Sequence, residues 1–408
     1  MNLLSLFSGC GGMDIGFEGG FSCLKKSINS LMHPDWISTE YGNWVTLAPT
    51  MFKTVFANDI RPDAKSAWVS YFNNKIKNAD KIYHLGSIVD LVKKYNNGEF
   101  EFPKDIDLVT GGFPCQDFSI AGKRLGFKSQ KSHLGSILEA DEPSIESRGK
   151  LYMWMRDVIT ITHPKLFIAE NVKGLTNLEH VKDIIEYDFS KAGYGGYLVV
   201  PARVLSAANY GVPQSRERVI FFGFRKESLT PDAKKALSSQ NIPQEFDPYP
   251  SPTHGKGLAD YVTCYDAFID LLEPDLSTDL SQIKYSKAKY MGPHCQGQTE
   301  VKLDSIGPTI RSEHHGNIEY RRLSQEHGGK HYAELASGLI ERRLTVRECA
   351  RIQTFPDDYQ FILNRTDKNV SVSSSDAYKI IGNAVPCVLA YNIAKNIEHK
   401  WYKYFGEE

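Results

Sequence analysis

The chain has 408 residues, with 48 Lys and Arg against 49 Asp and Glu, a formal net charge of −1, and 41% hydrophobic residues. This composition excludes wholesale disorder and a globally polybasic nucleic-acid binder, and the length favours two domains or one with a large insertion. No apolar run approaches the roughly 18 residues of a membrane helix, the N-terminal MNLLSLFSGCGG lacks a basic leader region, and the seven cysteines contain no C-x-x-C pair, so we expect a cytoplasmic protein without membrane partner, zinc ribbon or disulfide framework.

In chain order, Leu3–Phe7 is a short apolar run, predicted as a strand, and Ser8, Gly9, Cys10, Gly11 and Gly12 follow it. Thr54–Ala57 is the second such run, with Asn58 and Asp59 at its end, and a helix is expected over Asp63–Phe72. Ile106–Val109 leads into Gly111, Gly112, Phe113, Pro114, Cys115 and Gln116. A helix over Tyr152–Thr162 precedes the run Leu166–Ala169, which ends in Glu170 and Asn171; Val219–Phe222 is a fifth run. Short buried strands separated by helices imply an α/β fold with a doubly wound, mostly parallel Rossmann-like sheet. Ligands bind beyond the carboxyl ends of such strands, so Phe7/Ser8, Asp59, Cys115 and Glu170 are expected to converge on one edge. After Lys226 prolines crowd at 243, 248, 250 and 252, and the alternation fades. We expect a catalytic domain of 1–225 plus 376–408 and a smaller irregular domain of 226–375. Within the latter, Leu344–Gln353 reads as a helix with Thr345 as N-cap and Glu348 at the capping-box position; Val385–Ile397 reads as an apolar C-terminal helix. Residues 282–351 hold 12 Lys and Arg against 8 Asp and Glu, a local excess that could face phosphate or be an ordinary solvated surface.

Several segments carry chemistry. Glycines after the first strand let a ligand touch backbone N–H groups, although position 14 is Asp, so the loop departs from G-x-G-x-x-G. Asp59 can accept the hydroxyls of a ribose or cap the following turn. Cys115, flanked by glycines and a φ-locked proline, suits a posed nucleophile better than a core thiol. Glu170 at a strand end suits acid–base work, with helix capping by Glu170 and Asn171 as the plainer role. Arg216 and Arg218, two apart, would share one face of a strand and orient the glutamate, hold phosphate, or form a surface charge pair.

In this order the segments resemble the DNA (cytosine-5) methyltransferases, specifically bacterial modification enzymes. The matching blocks are FSGCGG (7–12), GGFPCQDFSIAGKRLG (111–126), SRGKLY (147–152), AENVKGL (169–175), GVPQSRERVIFFGF (211–224), RRLTVRECARIQTFPDDY (342–359) and IGNAVP (381–386). The resemblance implies Cys115 as nucleophile on cytosine C6, within Pro114–Gln116; Glu170, beside Asn171, at N3; and support from Arg218 and Arg216. It implies S-adenosylmethionine as cofactor, contacted by Phe7, Ser8, Gly9, Cys10, Gly11, Gly12, Asp59, Ile60, Ser87, Ile88, Gly112, Asn383 and Ala384. Ser87-Ile88 stands where the family more often has Asp-Ile. Double-stranded DNA is the implied partner, met by Ser119, Lys123 and Arg148 in the mobile catalytic loop and by Thr309, Ile310 and Arg311 at the target-recognition region. A monomer paired functionally with a cognate restriction endonuclease is implied, with no metal. Residues 25–50 and 128–146 lengthen the family pattern.

Three other readings share parts of this pattern. A tRNA cytosine-5 methyltransferase would keep the Pro-Cys-Gln and Glu-Asn-Val blocks, but the long variable region favours DNA. A non-catalytic DNA-binding relative has no need of Cys115, Glu170 and Arg218 together. A nicotinamide-dependent dehydrogenase explains the glycine loop and leaves Pro114–Gln116 idle.

Overall fold

The computed structural model describes residues 1–114, 151–178, 180–312, 315–366 and 369–406. In chain order the first half holds β1 (Asn2–Leu6), α1 (Gly12–Glu18), β2 (Ser22–Leu24), β3 (Ile37–Tyr41), β4 (Trp44–Leu47), β5 (Lys53–Asp59), α2 (Pro62–Phe72), α3 (Ala79–Ile82), β6 (Tyr83–Leu85), α4 (Ile88–Asn96) and β7 (Leu108–Gly112). There follow α5 (Leu151–Thr162), β8 (Leu166–Val172), α6 (Val181–Ser190), β9 (Tyr197–Ser206), β10 (Glu217–Arg225) and α7 (Pro231–Leu237). Short pieces continue, α8 (Cys264–Phe268), α9 (Leu280–Ile283), β11 (Tyr320–Arg322), α10 (Tyr332–Ala336), β12 (Arg342–Arg343) and α11 (Val346–Ile352), before two longer helices, α12 (Ser374–Asn383) and α13 (Cys387–Phe405).

The main sheet has seven strands in the order β6-β5-β1-β7-β8-β10-β9. Its central strands are largely apolar because both faces are buried, with Ser5, Thr54 and Thr110 as buried polar exceptions. Leu3, Leu108 and Ile168 join one hydrophobic cluster. Their chain neighbours Leu4, Val109, Phe167 and Ala169 join the other, beneath α4, α5 and α6. Strands β6, β5, β1, β7 and β8 run parallel, and chain order reverses direction at β1. This is the switch point at which a parallel sheet opens a crevice. The run Val219–Phe222, expected to be a further parallel strand, is instead antiparallel to both β8 and β9. The reason lies in the connection. Ser206 to Glu217 holds only a short 3-10 turn at Ala207–Tyr210, and a parallel return needs a longer crossover.

The insertion at 25–50 completes a separate three-stranded antiparallel sheet, β2-β4-β3. Tyr391 of α13 donates to the Ala48 carbonyl at 3.0 Å, Lys26 pairs with Asp266 at 2.8 Å, and Trp44 Nε1 donates to Asp270 at 2.9 Å. The insertion at 128–146 lies outside the described residues.

The capping box read at Thr345 and Glu348 is present on α11. Beyond α11, Phe355, Tyr359 and Phe361 lie in the same cluster as β1 and α13, so apolar packing runs unbroken from the sheet into the second half. The basic excess of 282–351 does not lie on the surface as a whole. Arg322, Arg342, Arg343, Arg347 and Arg351 are buried. Arg342 meets Glu348 and Glu273, Arg322 meets Glu273 and Glu334, and Arg347 meets Asp279. Arg343 spends its guanidinium on backbone carbonyls, including Ala288 at 2.9 Å and Gly297 at 2.7 Å. Much of the phosphate-facing charge expected here is internal, because buried cations must be paired or hydrogen-bonded. Lys284, Lys287, Lys289, Lys302 and Lys330 stay exposed.

Candidate active site

The carboxyl ends of β5, β1, β7 and β8 lie side by side, so Asp59, Phe7, Pro114 and Glu170 occupy one edge of the sheet. The register pairs Gly112 directly with Glu170. A Cβ at Gly112 would stand 2.9 Å from Glu170 Oε2, so the absent side chain is what admits the carboxylate. Glu170 is buried, and Arg218 Nε approaches its Oε1 to 2.8 Å. Burial pushes the Glu170 carboxyl above its ordinary range, and the charges of Arg218 and then Arg216 pull it back only in part. A carboxyl of this kind holds its proton more readily than a surface glutamate, while a cation fixes its orientation. Asn171 is buried beside it. Its Nδ2 donates to the Phe113 carbonyl at 3.2 Å, tying β8 to the segment that leads into Cys115.

Arg216 does not share a face with Arg218. It is buried and donates to the carbonyls of Ile310 at 3.0 Å and Gly382 at 2.9 Å. It precedes β10, so strand alternation does not govern its direction, and its charge acts on Glu170. Gln214, also buried, receives Ile310 N–H at 2.9 Å and donates to Gln353 Oε1 at 2.8 Å. These bonds dock the 309–312 segment. Ile310 is therefore a core residue rather than a surface open to DNA. Thr309 donates its hydroxyl to Ser215 O at 2.5 Å, and Arg311 reaches Asn317 O and Glu319, both at 3.0 Å.

At the β1 edge, Phe7 has a φ of 53° and Gly9 of 54°. Non-glycine residues seldom adopt this left-handed region, which here turns the chain back across β5. A Cβ on Gly9 would meet open space, whereas one on Gly11 would strike the Trp68 ring at 2.6 Å. Gly9 N–H donates to Asp59 Oδ2 at 3.0 Å and Arg61 N–H to Oδ1 at 3.0 Å. Burial lifts the Asp59 carboxyl, partly offset by these bonds. The Ile60 N–H also bonds this carboxylate, which keeps acceptor capacity for a hydroxyl donor. Ile60 is 47% exposed at the same edge, an apolar side chain left for a planar ring. Gly12 packs on the other flank, where an added Cβ would meet Val385 O and Ala384 Cβ, which brings exposed Asn383 and half-buried Ala384 beside the loop.

Four expected cofactor residues have side chains committed within the fold. The Cys10 side chain is buried, donates to Ile380 O at 3.2 Å, and has its thiol pushed far up by burial, so only its backbone can face a ligand. Ile88 belongs to the core. Ser87 caps α4, accepting from Val89 N–H at 3.2 Å. Ser8 knits β1 to β5, its Oγ accepting from Asn58 N–H at 3.1 Å. Cys115, Gln116, Ser119, Lys123 and Arg148 lie outside the described residues. Among the described residues no group of three or more His, Cys, Asp or Glu could hold a metal ion. No helix among them is long and apolar enough to cross a membrane.

Among the packed residues behind the site, those not anticipated are Gln214, Gln353, Ser5, Asp14 and Trp68. The first two stand in the quoted blocks, and Asp14 is the position where the glycine pattern breaks.

A family model described as C-5 cytosine-specific DNA methylase matches residues 1–399. Among similar curated proteins, Type II methyltransferase M.BsuRI of Bacillus subtilis is 33% identical over 97% of this chain and 79% of its own length. Type II methyltransferase M.NgoPII of Neisseria gonorrhoeae is 30% identical over 98% of this chain and 95% of its own. Among solved structures, the S. pombe Dnmt2 methyltransferase superposes with a TM-score of 0.54 at 17% identity, over 98% of each chain, a likeness of fold.

Proposed function

The chain belongs to the family of C-5 cytosine-specific DNA methylases, and from that premise we propose that it methylates C5 of a cytosine everted from a specific double-stranded DNA sequence, with Cys115 bonding C6 and Glu170 serving N3. The enzyme is a DNA cytosine-5 methyltransferase; the assignment of roles to residues is our reading. The observation that carries it is Glu170, buried, its carboxyl raised by that burial and clamped by Arg218 at 2.8 Å, beside the strand end that runs through Pro114 into Cys115.

Cytosine C5 is too weak a nucleophile to accept a methyl group unaided. Addition of the Cys115 thiolate to C6 forms an S–C6 bond, and the C5=C6 electron pair shifts towards C4 as N3 takes the Glu170 proton. Arg218 then faces the carboxylate that remains. C5 is now enamine-like and reactive. Once C5 carries its new substituent, loss of its proton to solvent returns the pair, re-forms C5=C6 and expels the Cys115 thiolate, while N3 gives its proton back to Glu170. The general acid must lose and regain a proton near neutrality, and a carboxyl raised by burial is suited to that.

S-adenosylmethionine, bound at the glycine-loop edge, supplies an electrophilic methyl group on a sulfonium. Gly9 leaves open space there, Asp59 keeps acceptor positions for ribose hydroxyls, Ile60 offers an apolar face, and Phe7, the backbone of 8–12, Gly112, Asn383 and Ala384 close the edge. Residues 226–375 would carry target recognition. Everting the base requires a few kcal/mol, which protein–phosphate contacts, those of the exposed lysines included, offset. Its relatives' names place them in type II systems, and we read this chain likewise as a cytoplasmic monomer that shields host DNA from a cognate endonuclease. Bisulfite sequencing of DNA from cells expressing the chain tests the reading. We expect one short motif protected at a fixed cytosine, and none with Cys115→Ala. Unmodified DNA, or modification that survives Cys115→Ala, overturns it.

A further inference from the structure

We propose that Asp14 and Trp68 act as a positioning pair that holds the Gly9–Gly12 loop in its donor-binding shape. The inference rests on the reading that this edge binds S-adenosylmethionine.

Asp14 is wholly buried on α1, where a dinucleotide-type loop would have glycine. Its Oδ1 accepts the Ser5 hydroxyl at 2.6 Å and its Oδ2 accepts Trp68 Nε1 at 2.7 Å. Ser5 Oγ in turn receives the Ser8 hydroxyl at 2.8 Å, and Ser8 Oγ accepts Asn58 N–H at 3.1 Å. One polar chain thus runs from the end of β5, through β1 and α1, to the indole of α2. That indole is the surface on which Gly11 rests, since a Cβ there would meet its Cδ1 at 2.6 Å and Nε1 at 2.9 Å. Phe72 stacks behind it at 4.1 Å between ring centroids. The loop's own carbonyls are held from other directions. Tyr83 donates to Gly9 O at 2.9 Å and Tyr359 to Cys10 O at 2.7 Å. A buried carboxylate is a demanding way to place a tryptophan, because it must be satisfied at every lone pair it presents. The arrangement leaves Gly11 no freedom to drift. In place of backbone slack the loop has a fixed wall, and Gly9 alone faces open space.

The test measures binding of S-adenosylhomocysteine by calorimetry, binding of cognate DNA, and turnover at saturating donor, all on the full chain. Asp14→Ala should weaken S-adenosylhomocysteine binding about tenfold, the scale of one orphaned buried partner. DNA affinity should stay within about twofold and saturated turnover within about threefold on the same scale. Asp14→Asn should restore binding, because its carbonyl accepts from Trp68 while its amide donates to a reversed Ser5 hydroxyl. Trp68→Phe keeps a ring under Gly11 but has no N–H, and should weaken binding about threefold or more on that scale. Should Asp14→Ala fail to fold, Trp68→Phe decides alone. Unchanged affinity in Trp68→Phe, or equal losses for donor and DNA in Asp14→Ala, overturns the inference. Asp59→Ala separates the two claims: if it binds S-adenosylhomocysteine like the parent, the site reading itself fails.

Discussion

Replacing Gly112 by alanine probes the candidate site with a single carbon. The added Cβ would stand 2.9 Å from Glu170 Oε2. Ordinary carbon–oxygen contact in a packed interior begins near 3.4 Å, so the carboxylate must retreat by about 0.5 Å. It must do so while bonded to Arg218 at 2.8 Å. A 1 Å misplacement of a catalytic group reduces rate about a hundredfold, so half of that implies roughly a tenfold loss of kcat, or about 1.4 kcal/mol. Stability should change by less than about 1 kcal/mol, because alanine in a strand gains backbone entropy over glycine that offsets the local crowding. Single-turnover methyl transfer to an oligonucleotide duplex, with donor and DNA affinities measured separately, isolates the effect. A Gly112→Ala enzyme with parental single-turnover rate would show that Glu170's seat against β7 does not matter to the chemistry. So would a loss that vanishes at saturating donor, which would place Gly112 in the cofactor site only.

Other consequences follow from the same geometry. The Glu170 carboxyl titrates above its ordinary value through burial, so its protonated form, and the methyl-transfer rate, should fall as pH rises through that raised value. Glu170→Gln should be slow and lack this alkaline limb; a parental limb in the glutamine enzyme refutes the acid role. Asp14 is raised to about 6 by burial. A raised carboxyl binds its proton more tightly folded than unfolded, so stability conferred relative to Asp14→Asn should decline between about pH 4 and 6, by about 3 kcal/mol. Thermal melts across that interval check the sign. Arg216→Met removes donors to two buried carbonyls and should lower unfolding free energy by about 2–4 kcal/mol in urea titrations; a change under about 0.5 kcal/mol would deny it the docking role. Exchanging residues 226–340 with those of a relative should change which sequence is methylated, and an unchanged motif would put recognition elsewhere.

The four strand ends that line the site edge were legible in the chain, because each couples a largely apolar run to an abrupt polar turn. The capping box of α11 was legible too, being a pattern complete within four residues. Strand β9 escaped notice: its residues alternate weakly, as suits an edge strand whose outer side meets solvent. The arginines of 322–351 misled in another way. Their charge count is open to inspection, but whether a guanidinium faces phosphate or a carboxylate depends on partners such as Glu273, 69 positions from Arg342.

Local chemistry settled the family's blocks, the polar edge and the residue types able to hold a proton or a ribose. Those features need only neighbours in the chain, and neighbours are what a linear string displays. Distance in the chain hides the remainder. Arg216 meets Gly382 across 166 positions, and Gly112 makes room for Glu170 only because β7 and β8 pair in one register. Such contacts exist once folding has expelled water and left each buried polar atom to find a partner wherever the packed chain supplies one.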